Sequence, residues 1–175
     1  MQNFNTAILI QAALNIQVAH AICKIAATFL LVGAIAMQFL ADLAPCPLCL
    51  TQRWPHLAVI IISGMGCLAP MPFQIRRALL GLTALAFAIT AGVGFYHAGV
   101  EYGLIAGPNS CTGLATGETL EELRRNLMNA PVVRCDEAPW SLFGISLAGY
   151  NFLASGALAA FAAYAALRRP KRAGT

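Results

Sequence analysis

Apolar residues in this chain collect into four long blocks, approximately Ile25–Ala41, Trp54–Met71, Ala78–Val100 and Leu142–Leu167. A helix needs about 20 apolar residues to cross the hydrocarbon core of a bilayer, with about 17 as the lower limit. The pattern therefore predicts an all-α integral membrane protein, a four-transmembrane-helix bundle. No Asp or Glu falls inside any block. That argues against a proton-relay or ion-coupled transporter, which keeps acids at membrane depth. Between the third and fourth blocks, the stretch 101–141 predicts one short helix. Thr119-Leu-Glu-Glu122 resembles a capping box, and Leu120, Leu123, Leu127 and Met128 share one stripe. The flanking stretches 107–117 and 129–134 carry Pro108, Gly113, Gly117 and Pro131, which predict irregular, mobile chain.

Composition agrees with the pattern. Of the 175 residues, 59% are hydrophobic and only 10% charged, against about 25% charged in an ordinary soluble domain. Mean hydropathy is +0.70. Near the N-terminus, Ala19-His20-Ala21 looks like a signal-peptide cleavage site. However, no Lys or Arg precedes Lys24, and Gln11, Asn15 and Gln17 interrupt the apolar run. Residues 6–20 are expected instead to lie on the membrane as an amphipathic lead-in, or to extend the first helix.

Charge adds an orientation. Lys24, Arg76, Arg77, Arg168, Arg169, Lys171 and Arg172 flank one side of the predicted bundle. The acids Asp42, Glu101, Glu118, Glu121, Glu122, Asp136 and Glu137 flank the other. The positive-inside rule places the basic side, and with it both termini, in the cytoplasm. The expected organisation is a lead-in over 1–24, a membrane domain over 25–167 with its long outer loop at 101–141, and a basic cytoplasmic tail over 168–175. Trp54, Tyr96, Tyr102 and Trp140 make an aromatic belt on the outer side.

The chemistry lies in the cysteines, of which there are six. Cys46 and Cys49 fall in the short outer loop, Cys111 and Cys135 in the long one. All four thus face the compartment in which disulfides persist. Cys23 and Cys67 fall within predicted helices and suit small buried apolar residues. A Cys46–Cys49 disulfide closes almost no loop and adds little stability, so Cys46-Pro-Leu-Cys49 is better explained as a pair that interconverts between dithiol and disulfide. Cys111 and Cys135, separated by 24 positions, suit either a loop staple or a second exchanging pair. A zinc site is disfavoured, because that second pair lacks CxxC spacing, and no metal is expected.

Pro47 suits the first position of a helix. If the second helix begins there, Cys49 falls in its first turn, where unpaired N–H groups favour a thiolate. If it begins near Thr51, Pro55 falls in the first turns instead. Arg53, four residues beyond Cys49, shares its face and would stabilise a thiolate or bind an electron-rich carbonyl oxygen. The bland alternative is a cation snorkelling to the headgroups. His97, after Phe95-Tyr96 at the outer end of the third block, is a weaker candidate for a cofactor contact. His20 and His56 carry less still.

At this point the chain resembles a known family. CPLCLTQR at 46–53, Tyr96-His97, the downstream Cys111 and Cys135, and Cys135-Asp-Glu-Ala-Pro-Trp-Ser-Leu-Phe-Gly144 leading into the fourth block are similar to DsbB, the bacterial inner-membrane thiol oxidase. The resemblance covers about residues 25–167. It implies a multi-pass protein of the bacterial inner membrane, with its active cysteines on the periplasmic side. It also implies a relay. A DsbA-like periplasmic thioredoxin-fold protein attacks a Cys111–Cys135 disulfide, forming the mixed disulfide at Cys111. Cys135 then attacks Cys46 of a Cys46–Cys49 disulfide, and Cys49 passes electrons to a membrane quinone, ubiquinone or menaquinone. Arg53 and His97 are the implied quinone neighbours. The implied partners are that protein, the quinone pool and the lipid bilayer, with no nucleic acid. Gln52 departs from the family, where an acidic residue is common at that position, and the lead-in is longer than expected. Two other readings remain. One is a reductase like the vitamin K epoxide reductase family, in which the CxxC follows the loop pair rather than preceding it. The other is a non-enzymatic four-helix adaptor with structural disulfides.

Overall fold

The structure, a computed structural model, describes residues 2–68, 71–108, 111, 119–128 and 133–168. The side chains of 2–15, 123, 126 and 127 lie outside that description. Among the described residues are five helices: α1 (Gln2–Leu40), α2 (Pro47–Cys67), α3 (Phe73–Glu101), α4 (Leu120–Met128) and α5 (Leu147–Leu167). A two-stranded hairpin, β1 (Ser141–Leu142) and β2 (Ile145–Ser146), precedes α5.

α1, α2, α3 and α5 pack with alternating direction, as their cross-helix bonds show. Arg53 near the start of α2 bonds Gln38 near the end of α1, while Gln17 of α1 bonds the Cys67 carbonyl at the far end of α2. Ser63 of α2 meets Thr83 of α3 at 3.1 Å, and Arg77 of α3 reaches the Ala166 carbonyl of α5 at 2.5 Å. The interior holds small and aliphatic residues such as Ala27, Val59, Leu80 and Ala162, together with the aromatic Phe87. Large apolar side chains point outward instead, among them Phe29, Phe39, Ile61, Leu85 and Leu153. Soluble monomers rarely expose so much contiguous apolar surface, and lipid tails solvate it without penalty. Among the described residues, three helical segments are long and apolar enough to cross a membrane: Ile16–Leu40, Phe73–Glu101 and Leu147–Leu167. α2 spans 21 residues, but Thr51, Gln52, Arg53 and His56 lower its apolar content. Gln52 and His56 are turned into the bundle interior.

The boundaries differ from the sequence expectation for local reasons. α1 continues without a break through residue 24, so the lead-in forms part of the first helix. α2 starts at Pro47, with Cys46 as its N-cap, so Pro55 lies inside it and leaves the Thr51 carbonyl without an i−4 amide. α3 ends in a Schellman motif. Gly103 takes φ +67, its N–H bonds the Val100 carbonyl, and the Leu104 N–H bonds the Gly99 carbonyl at 2.8 Å. The fourth block does not begin as helix at Leu142. Phe143 and Gly144 both adopt positive φ (50° and 76°), the backbone of a two-residue hairpin turn, and Ser146 then caps α5 through the Gly149 N–H. Tyr102 ties this hairpin to the end of α3, donating to the Gly144 carbonyl at 2.6 Å and accepting from the Ser146 N–H. α4 begins as the capping box predicts, with Thr119 Oγ1 accepting from the Glu122 N–H at 3.2 Å. Its Leu120 and Met128 are exposed. The side chains of Leu123 and Leu127 lie outside the described structure, and most of the two stretches expected to be mobile fall outside the described residues, as does the basic tail beyond Arg168.

α3 and α5 approach closely at Gly94. A Cβ there would lie 3.0 Å from the Phe152 amide nitrogen and 3.1 Å from the Ala148 carbonyl. Small residues at such crossings let membrane helices meet backbone to backbone. Gly94→Leu is expected to force α5 away and to destabilise the fold by about 1–3 kcal/mol, the usual range for overpacking. Thermal unfolding in detergent measures it, and an unchanged midpoint would show that the approach is not required.

Candidate functional site

The site forms where the α1–α2 turn, the outer ends of α2 and α3, and the segment around Cys135 converge. Cys46 has extended backbone (φ −75°, ψ 167°), and its sulfur takes the place of an N-cap oxygen, accepting from the Cys49 N–H at 3.3 Å. The spacing of CxxC is also the spacing from N-cap to N3. The helix terminus therefore serves Cys46, and not Cys49 as the sequence expectation had it. The two sulfurs lie 3.2 Å apart, both free thiols in this state. His97 Nε2 is 3.4 Å from the same Cys46 sulfur. Three groups thus approach the Cys46 sulfur: the Cys49 N–H, the Cys49 thiol and the His97 ring. The Cys49 thiol contributes most and the His97 ring less, and together they hold Cys46 below the ordinary thiol range despite its burial.

The second pair is oxidised. Cys111 and Cys135 form a disulfide, with their Cα atoms 5.3 Å apart and the Cys135 N–H bonded to the Cys111 carbonyl at 2.8 Å. Both are fully buried against Cys46, Val100 and Ile105, rather than exposed on the loop. The ligand atoms of Cys46, His97 and Cys135 all lie within 4.8 Å of one another. A metal would need these three, but Cys135 is a disulfide sulfur here, so only two of them offer a free ligating atom. A cavity of about 260 Å³ opens between the α1–α2 turn and residues 133–139, with Cys46, Cys49 and His97 in its wall.

Behind the cysteines lies a buried polar network that the sequence reading did not find. Gln52 Nε2 donates to His97 Nδ1 at 2.8 Å and Gln52 Oε1 accepts from Asn151 Nδ2 at 2.6 Å. Asn151 Oδ1 accepts from Ser155 at 2.9 Å and lies 2.9 Å from His56 Nε2. On the other side of His97, Glu101 Oε1 is 3.7 Å from Nε2, and the Glu101 carboxylate accepts from the Ser146 hydroxyl. The i, i+4 spacing of His97 and Glu101 was the one visible hint. Asn151, 99 positions from Gln52, gave none. Arg53 turns toward α1. Its Nη1 donates to Gln38 Oε1 at 2.8 Å and its Nη2 to the Ala34 carbonyl at 3.4 Å, while Nε is buried without a partner. His97 therefore contacts Cys46 directly, and Arg53 carries the unsatisfied donor.

Fold and site together define a helical membrane protein that holds one oxidised and one reduced cysteine pair in contact. The sequence profile described as Disulfide bond formation protein DsbB matches residues 17–165, and the chain belongs to that family. It is 32% identical over 141 residues to Disulfide bond formation protein B 2 of Pseudomonas syringae pv. syringae (strain B728a), covering 75% of this chain and 77% of the relative. Disulfide bond formation protein B of Saccharophagus degradans (strain 2-40) is 30% identical over 146 residues, 80% of this chain and 86% of the relative. The uncharacterised protein RP370 of Rickettsia prowazekii (strain Madrid E) is 25% identical over 123 residues, 69% and 70% respectively. No solved structure matches. The chain is accordingly a multi-pass inner-membrane protein of disulfide-bond formation.

Proposed function

We propose that the chain reoxidises a DsbA-like periplasmic dithiol protein and delivers the two electrons to a membrane quinone. The observation that carries this reading is the contact between the pairs, with the sulfurs of Cys46 and Cys135 within 4.8 Å. The partner's thiolate attacks Cys111, forming a mixed disulfide and releasing Cys135 as a thiolate. Cys135 attacks Cys46 of the oxidised CxxC, forming a Cys46–Cys135 bond and releasing Cys49 as a thiolate. The partner's second thiol then displaces Cys111 and leaves as an oxidised protein. Cys111, now free, attacks Cys135, which restores the loop disulfide and releases Cys46; each step exchanges one S–S bond for another, so the partner's two electrons end on the reduced Cys46–Cys49 pair.

The unpartnered, buried Nε of Arg53 fits a quinone carbonyl oxygen. A quinone bound there supplies the two-electron acceptor. Arg53 would hold it, and Cys49, one turn earlier on α2, would face it. In this reading α2 also crosses the bilayer, making four spans, with both termini cytoplasmic and the cysteines periplasmic. Its Gln52, His56 and Ser63 are buried in the bundle and do not face lipid. Purified protein, supplied with a reduced DsbA-like substrate and a soluble quinone, is expected to reduce the quinone as substrate thiols disappear. No absorbance change with the wild-type chain would refute the reading.

A further inference from the structure

His97 is bonded at both ring nitrogens, and one of those bonds determines what the other can do. We propose that Gln52, anchored by Asn151, is a positioning residue that fixes the tautomer of His97 so that its N–H points at the Cys46 sulfur. This rests on the exchange role of Cys46 proposed above.

The direction of each amide follows from groups that only accept. Gln52 Nε2 lies 3.3 Å from the Leu48 carbonyl, and Asn151 Nδ2 lies 3.4 Å from the Thr90 carbonyl. A carbonyl takes a hydrogen and gives none, so these ends are the NH2 groups. Asn151 Nδ2 then donates to Gln52 Oε1. The NH2 of Gln52 is therefore turned toward His97 Nδ1, 2.8 Å away. The Thr90 hydroxyl holds the Gln52 backbone carbonyl at 3.2 Å, and Gln52 itself is buried.

In a neutral imidazole only one nitrogen carries hydrogen. Nδ1 receives a hydrogen from Gln52, so the proton of the neutral ring is on Nε2. That nitrogen is 3.4 Å from Cys46 and 3.7 Å from Glu101. Sulfur is the larger atom, so the N–H is within hydrogen-bond reach of Cys46 but beyond the usual reach of the carboxylate. His97 is thus set to donate to the Cys46 sulfur as negative charge forms on it, and not to remove its proton. The orientation of an imidazole by its second nitrogen is a general device. Here a neutral amide performs it, at the position where the chain has Gln52 and not an acid.

The test uses the full-length reduced protein with isotope-labelled histidine, read by nitrogen NMR, with His97→Asn assigning the signal. The wild type is expected to show a protonated Nε2 and a bare Nδ1. Gln52→Glu, equal in size, presents an acceptor to Nδ1 and is expected to move the proton there. Gln52→Met is expected to leave a mixture of tautomers. With the donor to Cys46 lost, kcat for partner-to-quinone transfer should fall about tenfold or more in Gln52→Glu, as for loss of a hydrogen bond to a charged group, and by less in Gln52→Met, while the KM for quinone holds. A protonated Nδ1 in the wild type would overturn the proposal. So would a Gln52→Glu variant whose proton moves while kcat stays at the wild-type value. Failure of the wild type to turn over would refute the oxidase reading instead, and the NMR pattern would still decide the tautomer.

Discussion

Cys46→Ser is expected to oxidise one equivalent of reduced partner and then stop, whereas Cys111→Ser oxidises none. The difference follows from where each sulfur sits. In Cys46→Ser the Cys111–Cys135 disulfide is intact, so a partner can exchange with it once. The partner's two thiols leave as a disulfide and the loop pair is left reduced. Cys135 then has no disulfide to attack, and quinone reduction is lost. In Cys111→Ser the first acceptor is gone. Mass spectrometry after acid quench and alkylation counts the partner thiols consumed per chain. Sustained turnover in either variant would remove the relay.

A second large effect is expected at Arg53. Arg53→Leu should raise the KM for quinone by about ten- to a hundredfold. A hydrogen bond to a charged group contributes about 1.5–3 kcal/mol, and about 1.36 kcal/mol corresponds to each factor of ten. Single-equivalent exchange between the partner and the loop disulfide should be unaffected. Gln38→Leu is the control. It removes the 2.8 Å acceptor of Arg53 on α1 but leaves the cation, so it should shift the KM far less. Arg53→Lys should recover only part of the affinity, since an ammonium keeps the charge without the planar fork. Quinone titrations at saturating reduced partner measure these effects. An unchanged KM in Arg53→Leu would dissociate the residue from the acceptor.

The parts of this molecule legible in its sequence are those set by neighbours along the chain. The CxxC beside Pro47, the capping box at Thr119 and the acid-free apolar blocks each depend on local spacing. The start of α2 was obscured because Thr51, Gln52 and Arg53 look like loop residues in an apolar count. Two of the polar residues on this helix, Gln52 and His56, instead face other helices. The hairpin before α5 was hidden for a similar reason. Leu142, Phe143 and Ile145 are apolar enough to be read as the start of a span, while the turn depends on the backbone of two residues. The network from Cys46 through His97 and Gln52 to Asn151 needs α2, α3 and α5 to meet at one level. No spacing along the chain encodes that meeting. It depends on packing, in particular on the absence of a side chain at Gly94.

The backbone bond between Cys135 and Cys111 has a kinetic consequence. When the sulfur–sulfur bond of the loop pair is cut, the 2.8 Å amide–carbonyl link between the same residues is not cut with it. In the proposed relay, Cys135 would thereby be kept close to Cys46 as it becomes a nucleophile, and its attack would be an intramolecular reaction at high effective concentration. Free thiols in solution, even abundant ones, have to compete with a sulfur that is already in place.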